Sequence, residues 1–114
     1  MSNGNSPEVP PPHAQLVQMA MGHWISRLVY VAAKLDLAGL LADGPKGAEE
    51  LAGPTGTDPG ALYRVMRSLA TLGVLSEDNS RQFSLTPLGE ALKTDAPGAA
   101  RSSVLTIASD WWFR

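Results

Sequence analysis

The side chains of this sequence whose types could do chemistry are few and scattered. His13 and His23 are its two histidines, and they lie ten residues apart. That spacing makes neither an HExxH pair nor a zinc finger. With no cysteine in the chain, thiolate metal sites and disulfides are excluded too. Glu49 and Glu50 are paired carboxylates, but adjacent residues at a helix start point in different directions. They complement the positive end of a helix better than they share a proton. The eleven glycines never fall two apart, so no GxG turn exists to bring backbone N–H groups onto a nucleotide-type cofactor. The residues therefore predict no catalytic, cofactor-binding or metal-binding site in this chain.

Arg64 and Arg67 are a different case. They lie three apart on one helical face, where a helix that reads DNA carries its contacts. A small transcriptional regulator is the rival reading they support. Electrostatics weigh against it: from residue 47 to 86 the bases Arg64, Arg67 and Arg81 face the acids Glu49, Glu50, Asp58, Glu77 and Asp78. A duplex binder neutralises several phosphates, about six or more. Two arginines beside that many acids are expected to pair with them, so no nucleic-acid partner is predicted. The whole chain carries a formal net charge of -2, with 44% apolar and 18% charged residues over 114 positions, an ordinary globular balance for one compact domain. The apolar stretch 19–33 is interrupted by His23, Ser26 and Arg27, and the first twelve residues have no Lys or Arg, so neither a membrane span nor a signal peptide is predicted. A soluble cytoplasmic protein is expected.

The elements that must position these groups follow from periodicity and punctuation. Residues 1–12 hold four of the nine prolines and predict a disordered tail. From His13 a helix is predicted to about Lys34, with Val17, Met21, Trp24, Leu28, Val31 and Leu35 at three- and four-residue spacing. Leu16, Met19, Ala20, Ile25, Val29 and Ala32 widen the stripe and leave only a narrow polar seam. So broad an apolar surface must be buried on more than one side. A second copy of the chain would bury it, and the predicted interface is Leu16, Val17, Ala20, Met21, Trp24, Ile25 and Leu28.

Short helices are predicted over 35–42 and 48–52, with Gly53-Pro54-Thr55-Gly56 as a turn. Asp58 caps a helix that opens at Pro59 and buries Leu62, Val65, Met66, Leu69 and Leu72. Residues 74–77 and 82–85 read as two strands joined by a turn at 78–81. Thr86-Pro87 caps a helix over 88–93, and a last helical pattern runs over 99–114. This order is that of a mainly α winged helix with a long first helix and a two-stranded β-hairpin wing.

Certain stretches carry a resemblance. They are Val31-Ala32-Ala33-Lys34-Leu35-Asp36-Leu37-Ala38-Gly39-Leu40-Leu41-Ala42-Asp43-Gly44-Pro45, Glu49-Glu50-Leu51-Ala52, Thr55-Gly56-Thr57-Asp58-Pro59, Leu62-Tyr63-Arg64-Val65-Met66-Arg67-Ser68-Leu69, Leu72-Gly73-Val74-Leu75 and Phe83-Ser84-Leu85-Thr86-Pro87-Leu88-Gly89. In this order the chain resembles the N-terminal dimerisation domain of S-adenosylmethionine-dependent O-methyltransferases. Its nearest look is to bacterial small-molecule enzymes related to hydroxyneurosporene and acetylserotonin methyltransferases. The resemblance implies a homodimeric domain, residues 13–98, that caps a substrate pocket. It implies that residues 99–114 begin a linker helix to a separate methyltransferase domain, absent from this sequence, which would bind S-adenosylmethionine and do the chemistry. The chain alone is then expected to bind no cofactor and to be inactive. The acceptor implied is a hydroxyl on a small aromatic or polyketide-like molecule. Met19, Trp111, Trp112 and Phe113 could touch that substrate; for Met19, as for Trp24 and Met21, interface core is the favoured reading, and the three C-terminal aromatics could equally anchor the domain junction.

Overall fold

Proline decides where the chain first turns helical. The computed structural model describes the backbone of residues 9–112 and the side chains of residues 9–107. Helix α1 (Pro12–Lys34) opens with Pro12 in its first turn, where a missing N–H costs nothing. It ends at Leu35 and Asp36. Asp36 adopts the left-handed conformation (φ 56°), and its carboxylate accepts a bond from the Gly39 N–H (3.3 Å), which starts α2 (Leu37–Leu40). The helix expected over 35–42 is confined to Leu37–Leu40. The difference arises because a short polar side chain can stabilise a left-handed turn locally. Lys46 then donates from Nζ to the Leu40 carbonyl (2.8 Å), closing the far end of α2 with a cation.

Strand β1 (Lys46–Gly47) leads into α3 (Ala48–Thr55), and α4 (Pro59–Thr71) follows. Helix α3 continues through Pro54 into the stretch expected to be a turn. Thr55 explains the longer helix: its hydroxyl donates to the Leu51 carbonyl (2.8 Å), and Gly56 at φ 67° supplies the left-handed cap. Asp58 caps α4 as expected, accepting from Ala61 N–H at 2.9 Å. Leu62, Met66 and Leu69 form the buried stripe of α4.

Strands β2 (Leu75–Glu77) and β3 (Gln82–Leu85) pair antiparallel, Ser76 opposite Ser84. The sheet has three strands, not two: β1 adds to the other edge of β3, with Lys46 opposite Phe83. A two-residue strand has no alternation to read, so its pairing was invisible in the sequence. At the β2–β3 turn, Asp78 accepts from the N–H groups of Ser80 and Gln82, which holds Arg81 in the left-handed region. Thr86 caps α5 (Pro87–Glu90), which stops short of the expected 93. Gly89 packs against the Val74 carbonyl so closely that a Cβ could not fit between them. Helix α6 (Ala100–Trp112) lies along α1.

The core gathers one face of nearly every element. Phe83, Leu37, Leu51, Met66 and Leu69 are its fully buried large side chains, joined by Leu28 and Ala32 from α1. The fold is mainly helical around a small antiparallel sheet. Among the described residues no helix is long and apolar enough to cross a membrane.

Candidate functional site

The two halves of α1 have different fates. Its C-terminal half supplies Leu28, Ala32 and Ala33 to the core. Its N-terminal half extends past the core with its apolar side chains in solvent. Met19 is 71% exposed, Leu16 66%, Val17 59%, Trp24 57%, Met21 49% and Ile25 37%. At 3.6 residues per turn, Met19, Leu16, Ala20, Trp24, Val17, Met21 and Ile25 span an arc of about 240°. A flat contact cannot cover that arc; whatever covers it must pack on more than one side. His23 and Arg27 are exposed on the same arc. Large apolar side chains left in water are an uncommon and informative surface.

Of the seven residues expected at a self-association interface, this geometry brings six together. Leu28 is the exception. It is 8% exposed and packs within the chain's own core, because the helix meets the rest of the domain from that turn onward. Met19, weighed between a substrate pocket and interface core, is among the most exposed residues of the same arc. Trp111 and Trp112 fall in the last turn of α6, with side chains outside the described residues; Phe113 and residues 1–8 of the expected tail lie outside them altogether.

A second grouping is polar. The Tyr63 hydroxyl donates to Glu77 Oε2 at 2.6 Å, and Arg67 meets Glu77 Oε1 at 3.4 Å and the Tyr63 hydroxyl at 3.5 Å. Arg67 is held above its ordinary pKa, first by its bond to Tyr63 and then by the Glu77 charge. The Arg81 guanidinium lies over the Tyr63 ring, 5.1 Å from its centre, and the edge of that ring meets Phe83. The cluster fastens α4 to the β2–β3 hairpin. It engages Arg67, one of the two arginines a DNA reader would need, with an acid, as the charge balance anticipated. An open cleft of about 590 Å³ adjoins it, lined by Gly47, Glu49, Glu50, Gly60, Tyr63 and Arg81 among others. Glu49 and Glu50 are both exposed at its rim. The charge balance names Glu77 as one acid among five, but nothing in the sequence singles it out or joins it to Tyr63. The two are fourteen residues apart, and only pairing of the hairpin with α4 makes them neighbours.

A long helix with an uncovered apolar arc, set on a small helical domain, is a self-association geometry, and the family match agrees with it. The model of the O-methyltransferase dimerisation domain matches residues 17–95. The chain belongs to this family. It is 39% identical over 105 residues to the phenazine O-methyltransferase PhzM of Lysobacter antibioticus, covering 92% of this chain and 31% of the relative. Among solved structures, the crystal structure of LaPhzM superposes with a TM-score of 0.82 at 38% identity, covering 90% of this chain and 31% of that one. The N,N-8-amino-8-demethyl-D-riboflavin dimethyltransferase RosA from Streptomyces davawensis gives 0.78 at 34% identity, covering 83% of this chain and 28% of that one. The chain thus spans about three tenths of the length of the proteins it matches. The matched part is the dimerisation domain of that family.

Proposed function

We propose that this chain works as the subunit-pairing and substrate-capping part of a longer methyltransferase. In this reading it is a winged helix whose first helix inserts into a second copy. The observation that carries the reading is the uncovered arc of α1, where six large apolar side chains stand in solvent on a helix whose other half is core. Two copies about a two-fold axis bury such an arc with the same residues on both sides. The interface in this reading is Leu16, Val17, Ala20, Met21, Trp24 and Ile25, with Leu28 holding the helix to its own domain.

The parent enzyme would bind S-adenosylmethionine outside this chain. No GxG turn is present here to receive the donor, and in this reading methyl transfer needs the rest of the enzyme. The acceptor is a small aromatic molecule carrying a hydroxyl or an amine. An amine joins the class because the dimethyltransferase RosA is named for a nitrogen acceptor while sharing this domain. The parent acts in the cytoplasm. Sedimentation velocity over a concentration series tests the pairing: a dimer at micromolar concentration is expected. A folded monomer at about 100 μM would refute it. Incubating the full-length enzyme with labelled S-adenosylmethionine and a panel of hydroxylated and aminated aromatics tests the parent reaction. Label transfer to neither class would refute the assignment.

A further inference from the structure

The end of α1 is built as a joint. The Ala33 carbonyl belongs to the last turn of the helix, where the macrodipole is negative, and it accepts the Asp36 N–H (3.2 Å) with a lone pair to spare. A cation from a distant part of the chain meets it: Arg101 Nε, in the first turn of α6, donates to the Ala33 oxygen at 3.0 Å. The same Nε lies 3.7 Å from Asp36 Oδ1. That carboxylate oxygen already accepts from the Gly39 N–H, so one side chain on α6 ties together the end of α1, the left-handed Asp36 and the start of α2. The approach to α6 is a left-handed turn. Gly98 and Ala99 both have positive φ, 91° and 52°, and an alanine holds that conformation only where its surroundings enforce it.

From this joint the two helices leave side by side. Helix α6 begins beside the C-terminal end of α1 and packs along it, which makes the pair antiparallel. Val104 turns toward the core, and Ile107 is 60% exposed. Six residues of helix rise about 9 Å. Ile107 therefore stands near the level of Arg27, next to the turn that carries Trp24.

We propose that Arg101 is a latch. By bridging the Ala33 carbonyl in the last turn of α1 and Asp36 it locks α6 against α1, so that Ile107 and the exposed arc of α1 form one surface for a second copy of this chain. Arg101 is a positioning residue, acting through the helix it anchors. The second half of the proposal rests on the self-association reading; the locking does not. Lysine in its place keeps the charge but lacks the planar guanidinium whose Nε–H is held against the carbonyl beside the carboxylate.

Amide hydrogen exchange and sedimentation velocity on wild type, Arg101→Met, Arg101→Lys and Asp36→Asn decide it. In Arg101→Met, exchange at residues 102–107 is expected to quicken about tenfold under monomeric dilution, with α4 unchanged. The dimer Kd is expected to rise about tenfold. Arg101→Lys should fall between Arg101→Met and wild type. Asp36→Asn should show a smaller effect, because asparagine keeps the left-handed turn and the Ala33 bond stays. Unchanged α6 protection in Arg101→Met overturns the latch. So does an equal rise in α4 and α6 across all three variants. A freed α6 with an unaltered Kd overturns the coupling to self-association. A monomeric wild type would sink the self-association reading, while the exchange data still decide the locking.

Discussion

Trp24→Ala is the sharpest probe of the exposed arc, because Trp24 is large and takes no part in the domain's own core. A tryptophan offers up to about 250 Å² of surface. At 57% exposure, about 140 Å² remains for a partner to cover. Complete covering would contribute about 3.5 kcal/mol per protomer at 25 cal/mol per Å². Covering is incomplete and alanine keeps part of the contact, so about 2 kcal/mol is the working figure. Two-fold symmetry removes it twice, about 4 kcal/mol for the dimer, or about a thousandfold in Kd. The assay is sedimentation velocity from nanomolar to high micromolar protein, with Glu49→Gln, far from α1, as the control. Urea unfolding below the dissociation range should give the variant the midpoint of the wild-type monomer. A Kd within threefold of wild type would refute the interface. A monomer stability lower by more than about 1 kcal/mol would show instead that Trp24 belongs to the chain's own core.

Leu28→Ala should behave in the opposite way, costing about 2–5 kcal/mol of monomer stability because it empties a core position, and urea titration under monomeric dilution reads it directly. Gly89→Ala should destabilise by more than about 2 kcal/mol, since a Cβ there meets the Val74 backbone carbonyl; a midpoint equal to wild type would show that the close approach is not enforced. Tyr63→Phe removes the hydroxyl that donates to Glu77 and should cost about 1–2 kcal/mol, with lowered protection in the β2–β3 hairpin as the accompanying signature. In gel shifts the chain should give no sub-micromolar, salt-sensitive complex with duplex DNA, because Arg67 is already engaged by Glu77. Calorimetric titration with S-adenosylmethionine should show no saturable site on this chain; one site per chain would overturn the assignment of the donor to the rest of the enzyme.

Much of the architecture could be read from the chain alone, because it is written in local chemistry. Pro12, Asp58 and Thr86 mark helix starts by side-chain and φ constraints that act within four residues. The stripe Leu62, Met66 and Leu69 has helical period and is buried as that period requires. The apolar breadth of α1 was equally plain, and with it the need for more than one covering surface. The periodicity did not say where along the helix the domain's own core ends. Leu28 and Trp24 are four residues apart on neighbouring lines of the same helix, yet one is core and the other stands in solvent. Only the placement of α2, α4 and α6 against the last turns of α1 separates them. The third strand, the Tyr63–Glu77–Arg67 cluster and the Arg101 bridge to Ala33 were out of reach for the same reason. Each joins residues far apart in sequence through contacts of one or two side chains or backbone groups. Such contacts leave no period and no local motif; they exist only once the helices have packed and brought the partners within about 4 Å.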